Sequence, residues 1–253
     1  MSLAGRTILV TRPEGQAQGL ATRLDDMGAI VYLAPAIEIQ PIEDPAELDQ
    51  CLRQLDRFDW LVLTSVNGVD AVSRRLAALG IGAEVLAARV AVIGPATNAA
   101  LKALRGHPAD LCPDEFVAEA IARELGAVQG LRILLARADL ARPDLARALR
   151  AGGAEVTEVV AYRIVPAREF PLPGACPDYV TVTSATSGIE VVRRFREAGL
   201  EQWLKRTRII AIGPIAAKAM EDAGYPPASV ASRYDEEGLI EALVKDAEAL
   251  QHV

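Results

Sequence analysis

Asp59-Trp60-Leu61-Val62-Leu63-Thr64-Ser65 returns as Asp178-Tyr179-Val180-Thr181-Val182-Thr183-Ser184, an offset of 119 residues from Ser65 to Ser184. Each copy is a short apolar run that ends in two hydroxyl residues, the form of a buried parallel strand leaving its sheet through a loop. The same offset of 119 carries Val92-Ile93-Gly94-Pro95-Ala96 onto Ala211-Ile212-Gly213-Pro214-Ile215. Upstream, Ile8-Leu9-Val10-Thr11-Arg12-Pro13 is echoed by Ile133-Leu134-Leu135-Ala136-Arg137-Ala138, here at an offset of 125. Both copies lead through a helix-length stretch to Met27-Gly28-Ala29-Ile30-Val31 or Gly153-Ala154-Glu155-Val156. Three blocks in one order, separated by a single length difference, read as a gene duplication with one indel.

Between and beyond these blocks, strand-like runs alternate with amphipathic helix-length segments, the pattern of a parallel sheet with crossover helices. Strands are expected near Thr7–Thr11, Ile30–Leu33, Trp60–Thr64, Val90–Ile93, Leu131–Ala136, Glu155–Val159, Tyr179–Thr183 and Arg208–Ile212. Gly28 and Gly152-Gly153 close helix-length segments, glycine being the residue that tolerates the left-handed turn after a helix. The segment Glu115–Leu125 sets Val117, Ala120, Ile121 and Leu125 on one helical face.

Composition agrees with this class. The 253 residues suit two domains of about 120 residues. Half the chain is apolar yet only 4% is aromatic, so its cores must be aliphatic, as in helix-covered parallel sheets. No apolar run approaches the roughly 18 residues of a membrane span, and no export peptide is visible, so a cytoplasmic protein is expected. The formal charge of −7 disfavours nucleic-acid and anionic-membrane surfaces, while leaving a local anion site possible. Cys51, Cys112 and Cys176 form no C-x-x-C pair and read as ordinary thiols. His107 and His252, the two histidines, read as surface residues, which leaves little material for a His triad or a metal centre.

Two segments interrupt the repeats, Pro35-Ala36-Ile37-Glu38-Ile39-Gln40-Pro41 and Val159-Val160-Ala161-Tyr162-Arg163-Ile164-Val165-Pro166. Their prolines and β-branched residues read as short extended strands wet on one side, and connectors between domains are the natural assignment.

In parallel α/β sheets the loops at the carboxyl ends of strands line the ligand crevice, and the following helices aim their N-termini into it. Thr64, Ser65, Asn67 and Gly68 occupy one such end, and Ser184, Thr186 and Ser187 the matching one. Helix capping alone is the competing reading for each hydroxyl. Gly94-Pro95-Ala96-Thr97 and Gly213-Pro214-Ile215-Ala216 fit strand-to-helix turns with proline in the first helical turn, but neither matches a phosphate loop. Arg12 and Arg137 follow matching strands and could hold a carboxylate, or could equally sit in a salt bridge. No strand ends in an acidic pair, which speaks against a magnesium site.

Taken together, Val10-Thr11-Arg12-Pro13, Leu63-Thr64-Ser65-Val66-Asn67-Gly68-Val69, Ile93-Gly94-Pro95-Ala96-Thr97, Arg137-Ala138-Asp139-Leu140-Ala141-Arg142-Pro143, Val159-Val160-Ala161-Tyr162-Arg163 and Ile212-Gly213-Pro214 resemble the uroporphyrinogen-III synthase family over nearly the whole chain. The resemblance implies a lyase that needs no cofactor or metal. Its substrate would be hydroxymethylbilane, a linear tetrapyrrole with eight carboxylates. That substrate would lose its hydroxyl as water, invert its last pyrrole ring through a spiro intermediate and close to uroporphyrinogen III. The resemblance further implies Tyr162 as the catalytic acid. Substrate contacts would come from Arg12, Thr64, Ser65, Asn67, Gly68, Gly94, Thr97, Arg137, Ser184, Thr186, Ser187, Gly213 and Ile215. Ile215 and Ala216 stand where the family often has hydroxyl residues, so backbone N–H contacts are expected there. No nucleic-acid or membrane partner is expected, and a monomer is.

The implied fold is two flavodoxin-like three-layer domains with a cleft between them, joined by a two-stranded β connector. Residues near 1–34 and 170–253 would form one domain, 44–158 the other, and 35–43 with 159–169 the connectors, with Tyr162 at the hinge. Two other readings remain at this point. One is a two-domain binding protein that closes on an anionic ligand without chemistry. The other is a nucleotide-dependent transferase, weakened by the missing phosphate loop.

Overall fold

The computed structural model describes residues 3–87, 89–115 and 118–251. His252 and Val117 lie outside the described residues. The chain divides into two compact units, Met1–Glu38 with Val165–Val253 (unit 1) and Ile39–Ile164 (unit 2).

Unit 1 is built on a five-stranded sheet in the order β10-β9-β8-β1-β2, with strands Ser229–Val230, Arg208–Ala211, Tyr179–Val182, Thr7–Val10 and Ile30–Leu33. All four of its pairings are parallel. Alternation along each strand feeds two faces. Ile8 and Val10 pack with Leu20 and Leu24 of α1 (Glu14–Asp26) and with Leu239 and Leu243 of α10 (Glu236–Gln251). On the other face, Leu9, Val180 and Val182 meet Phe195 of α7 (Ala185–Glu197), Leu204 of α8 (Glu201–Arg206) and Met220 of α9 (Pro214–Asp222). Burying each such aliphatic side chain contributes roughly 1.5–3 kcal/mol. At the amino edge of the sheet, fully buried Tyr179 donates to Asp246 Oδ2 at 3.1 Å, and Arg208 grips the same carboxylate through Nε at 2.5 Å and Nη2 at 2.7 Å.

Unit 2 carries the order β3-β7-β6-β4-β5, with strands Ile37–Pro41, Glu155–Pro166, Arg132–Ala138, Trp60–Leu63 and Arg89–Val92. From β7 to β5 the pairing is parallel. Leu61, Leu63 and Leu134 face Leu52 of α2 (Ala46–Arg53), Val72 and Leu76 of α3 (Val66–Leu79) and Leu101 of α4 (Pro95–Arg105). Val62, Ile133 and Leu135 face Ile121 of α5 (Ala118–Glu124) and Leu145 and Leu149 of α6 (Asp144–Ala151). No helix among the described residues is long and apolar enough to cross a membrane.

The duplication maps onto these sheets strand for strand. In unit 1 the order β2-β1-β8-β9-β10 matches β7-β6-β4-β5 of unit 2, where a bridge from Ala91 to Leu111 takes the place of β10. Each sheet therefore mixes strands from both repeats. Two strands depart from the sequence expectation. The short β10 lies outside every expected run. The expected strand near Glu155–Val159 and the expected second connector are one twelve-residue strand, β7.

Candidate functional site

The carboxyl edge of the unit 2 sheet gathers most of the expected residues. Thr64 and Ser65 follow β4, and Ser65 is the N-cap of α3: its extended backbone (φ −160°, ψ 159°) lets Oγ accept the Gly68 N–H at 3.1 Å. Serine does this at many helix starts. Here the same oxygen also lies 2.9 Å from Tyr162 Oη, and the Asn67 side chain hydrogen-bonds that phenol as well. Gly68 is buried, and a Cβ there would rest 3.5 Å from the Ala136 carbonyl and 3.6 Å from Ser65 Oγ, ordinary contact distances.

Tyr162 reaches this point because β7 is irregular. Its register against β6 runs Arg137 to Val160 and then Ala138 to Tyr162, skipping Ala161. A bulge of this kind breaks the alternation of faces and re-aims a side chain. Val160 is accordingly 41% exposed, whereas Ala161 and Tyr162 are 3% and 4% exposed. The tyrosine ring joins the core with Val69, Leu63 and Ala136, and its oxygen ends at the α3 N-terminus, where Thr64, Ser65, Val66 and Asn67 are half-buried. Its hydroxyl thus has protein partners rather than bulk water. Burial pushes the phenol pKa up, hydrogen bonds from Ser65 and Asn67 pull it back, and the Asp139 carboxylate adds to the rise. Asp139 was not among the expected residues. Its N–H donates to the Tyr162 carbonyl at 3.1 Å, and its Oδ1 accepts the N–H groups of Leu140 and Ile164.

Gly94 follows β5 as the N-cap of α4 with φ 78° and ψ 158°, a conformation open essentially to glycine, and Pro95 starts the helix. Thr97 is buried in the first turn. In unit 1 the corresponding Gly213 is fully extended (φ 179°), so conformation does not require it, and a Cβ there would press on the exposed Tyr234 ring, 3.1 Å from Cδ1, a tight contact that a small shift of that side chain would relieve. Ile215 is exposed one residue into α9. Ser184 and Ser187 form a complete capping box on α7, with Ser187 fully buried, and half-buried Thr186 lies between them.

The two arginines are held by carboxylates. Arg12 Nη1 lies 3.0 Å from Glu236 Oε2 in unit 1. Arg137 is paired with Glu158, donates to the Arg142 carbonyl at 2.7 Å and is largely buried, while Arg150 binds the other oxygen of Glu158 at 2.6 Å. A depression of about 360 Å³ in unit 1 is lined by Glu14, Glu38, Glu169 and Arg168 among others, the wrong balance of charge for a polycarboxylate. Among the described residues no group of three or more His, Cys, Asp and Glu side chains could hold a metal ion.

What the helix N-termini and a buried, hydrogen-bonded phenol can do chemically is hold anionic groups and give up a proton. Comparison with known proteins narrows this. The family described as Uroporphyrinogen-III synthase HemD matches residues 18–241. The chain belongs to the uroporphyrinogen-III synthase family. It is therefore an enzyme of tetrapyrrole biosynthesis, a lyase. A uroporphyrinogen-III synthase of Synechococcus elongatus is 38% identical over 178 residues, 70% of this chain and 65% of that protein. The chain thus spans just under two thirds of that relative. A putative uroporphyrinogen-III synthase of Methanothermobacter thermautotrophicus is 30% identical over 249 residues, 92% of this chain and 96% of its own length. Among solved structures, a mutant uroporphyrinogen III synthase of Thermus thermophilus superposes with a TM-score of 0.70, at 20% identity, over 97% of this chain and 100% of that one. That likeness shows the shared fold, two α/β units on mostly parallel sheets of flavodoxin-like type.

Proposed function

We propose that the chain takes hydroxymethylbilane as its substrate and closes it to uroporphyrinogen III with release of water, inverting the terminal pyrrole ring, and that Tyr162 donates the proton to the departing hydroxyl. The observation that carries the role of Tyr162 is the meeting of its phenol oxygen with Ser65 at the N-terminus of α3, 2.9 Å apart. In unit 2 the backbone N–H groups at the starts of α3 and α4, capped by Ser65 and Gly94, suit the substrate's carboxylates, and in unit 1 those at the starts of α7 and α9, capped by Ser184 and Gly213, suit them in the same way. Each such helix terminus contributes about 0.3–1 kcal/mol toward an anion, so binding is distributed and positioning dominates. Thr64, Asn67, Gly68, Thr97, Thr186, Ser187 and Ile215 shape those turns. Arg12 and Arg137 supply positive charge at the same edges from within their ion pairs. The working form in this reading is a cytoplasmic monomer.

The test supplies hydroxymethylbilane to the purified protein and determines which uroporphyrinogen isomer forms. The type III isomer is expected. Formation of only the isomer that closes without enzyme would overturn the proposal. Tyr162→Phe keeps the ring and loses the proton, so turnover should fall by about 10²–10⁴ with the fold intact. Full turnover would remove Tyr162 from the chemistry.

A further inference from the structure

At the start of α7, Ser184 finds a hydroxyl partner inside its own helix, because Ser187 Oγ lies 3.0 Å away and is fully buried. The duplicate position in α3, at the repeat offset of 119, is Gly68, which has no hydroxyl to offer. Ser65 Oγ accepts the Gly68 N–H and turns its remaining hydrogen-bonding capacity to Tyr162, with Asn67 bonding the same phenol. The two copies of one helix start have therefore diverged: in unit 1 the cap closes on itself, and in unit 2 it opens onto a tyrosine.

A phenol oxygen carries two lone pairs and one proton. A serine O–H and an asparagine N–H can fill the two lone pairs, and in that arrangement the phenol proton is left to a third partner. We infer that Ser65 and Asn67 are positioning residues for Tyr162, which aim its proton at the substrate and stabilise the phenolate left when that proton departs. This rests on the role of Tyr162 proposed above. In that step the carbon–oxygen bond of the hydroxymethyl group breaks, its electron pair stays with oxygen, and the oxygen takes the phenol proton to leave as water. The proton released from the pyrrole carbon that forms the closing bond restores the phenol, so the charges balance over the cycle. Ser65 needs only to rotate its O–H, since Gly68 N–H already fixes its oxygen. The phenolate then sits between two donors, and donors preorganised around a developing anion stabilise it more than water would.

The helix start is a built comparison, and it gives the experiment three variants. Ser65→Ala removes the donor and the cap together, Ser65→Thr restores both, and Gly68→Ser offers Ser65 the internal partner that Ser187 supplies in the other copy. With tyrosine labelled at its ζ-carbon, carbon NMR titration of Tyr162 reads the phenol directly and requires no turnover. The Tyr162 signal should titrate at higher pH in Ser65→Ala and Gly68→Ser than in the unsubstituted protein, and return in Ser65→Thr. With hydroxymethylbilane, kcat of Ser65→Ala should fall about ten- to hundredfold with KM within about twofold, the loss expected for one hydrogen bond to a charged group. In the double variant Ser65→Ala/Tyr162→Phe there should be no loss beyond that of Tyr162→Phe. An unmoved Tyr162 titration in Ser65→Ala would overturn the inference, and so would losses that multiply in the double variant, which would place Ser65 on the substrate itself. Failure of the unsubstituted protein to form the type III isomer would instead sink the functional reading, with the titration still reporting on the positioning.

Discussion

Replacing Tyr179 by phenylalanine should destabilise unit 1 at neutral pH, and the penalty should disappear at high pH. Tyr179 is fully buried and donates to Asp246, and burial together with that carboxylate pushes its phenol up to about 12 from an ordinary value of 10. At pH 7 the variant loses one hydrogen bond to a charged acceptor, while Arg208 still holds both oxygens of Asp246, so the carboxylate is not stranded. The cost is about 1.5 kcal/mol. Because the folded phenol holds its proton more tightly than the unfolded one, the unfolded state loses protons first as pH rises. Stability is whole below pH 10 and drains away as pH climbs toward 12. At pH 11 the loss is about 1.4 kcal/mol, the equivalent of one pKa unit. Phenylalanine has no such proton, and the other titrating groups act equally in both proteins. The two urea midpoints, followed by circular dichroism at pH 7, 9, 10 and 11, should therefore converge by about pH 11. A gap that stays constant across that range would refute the reasoning.

Two further outcomes follow from single positions. Gly94→Ala forces a side chain into a backbone conformation with φ 78° and should cost about 1–3 kcal/mol, read as a lowered Tm, with a rise in KM because the α4 N-terminus shifts. Asp49→Asn removes the paired bonds from Arg75 at 2.8 and 2.6 Å, which hold the Asp49 carboxyl below its ordinary value; the loss should be under about 1 kcal/mol at pH 7 and vanish as pH falls through the carboxylate range, where the unsubstituted protein loses the same contribution.

Strands with an apolar period were legible because their burial is complete: Ile8–Val10, Leu61–Leu63 and Ile209–Ala211 are all buried. The two-residue β10 has no room to show a period, so nothing in the local sequence marks it. The length of β7 was hidden for a different reason. A bulge changes which face a residue takes without changing composition, so the burial of Tyr162 beside Ala161 could not be read from alternation. Arg12 illustrates the remaining gap. Its partner Glu236 is 224 residues away, and a choice between ion pair and free cation depends on a distance that local sequence does not encode. The glycines at 94 and 213 looked alike for the same reason: one is needed for its dihedral angles, whereas the other is extended and lies against the ring of Tyr234.

The mixing of repeats between the two sheets also sets an order of events at the ribosome. Unit 2 is one uninterrupted stretch, Ile39–Ile164, and has every strand of its sheet except the first two residues of β3 and the last two of β7 within that stretch. It can close as soon as its last residues emerge. β1, although it precedes every strand of unit 2, must wait for β8, with Thr11 and the carbonyl of Thr181 170 residues apart. β1 is thus left without its central neighbour until β8 has been made, and unit 1, which contains it, completes its sheet after unit 2.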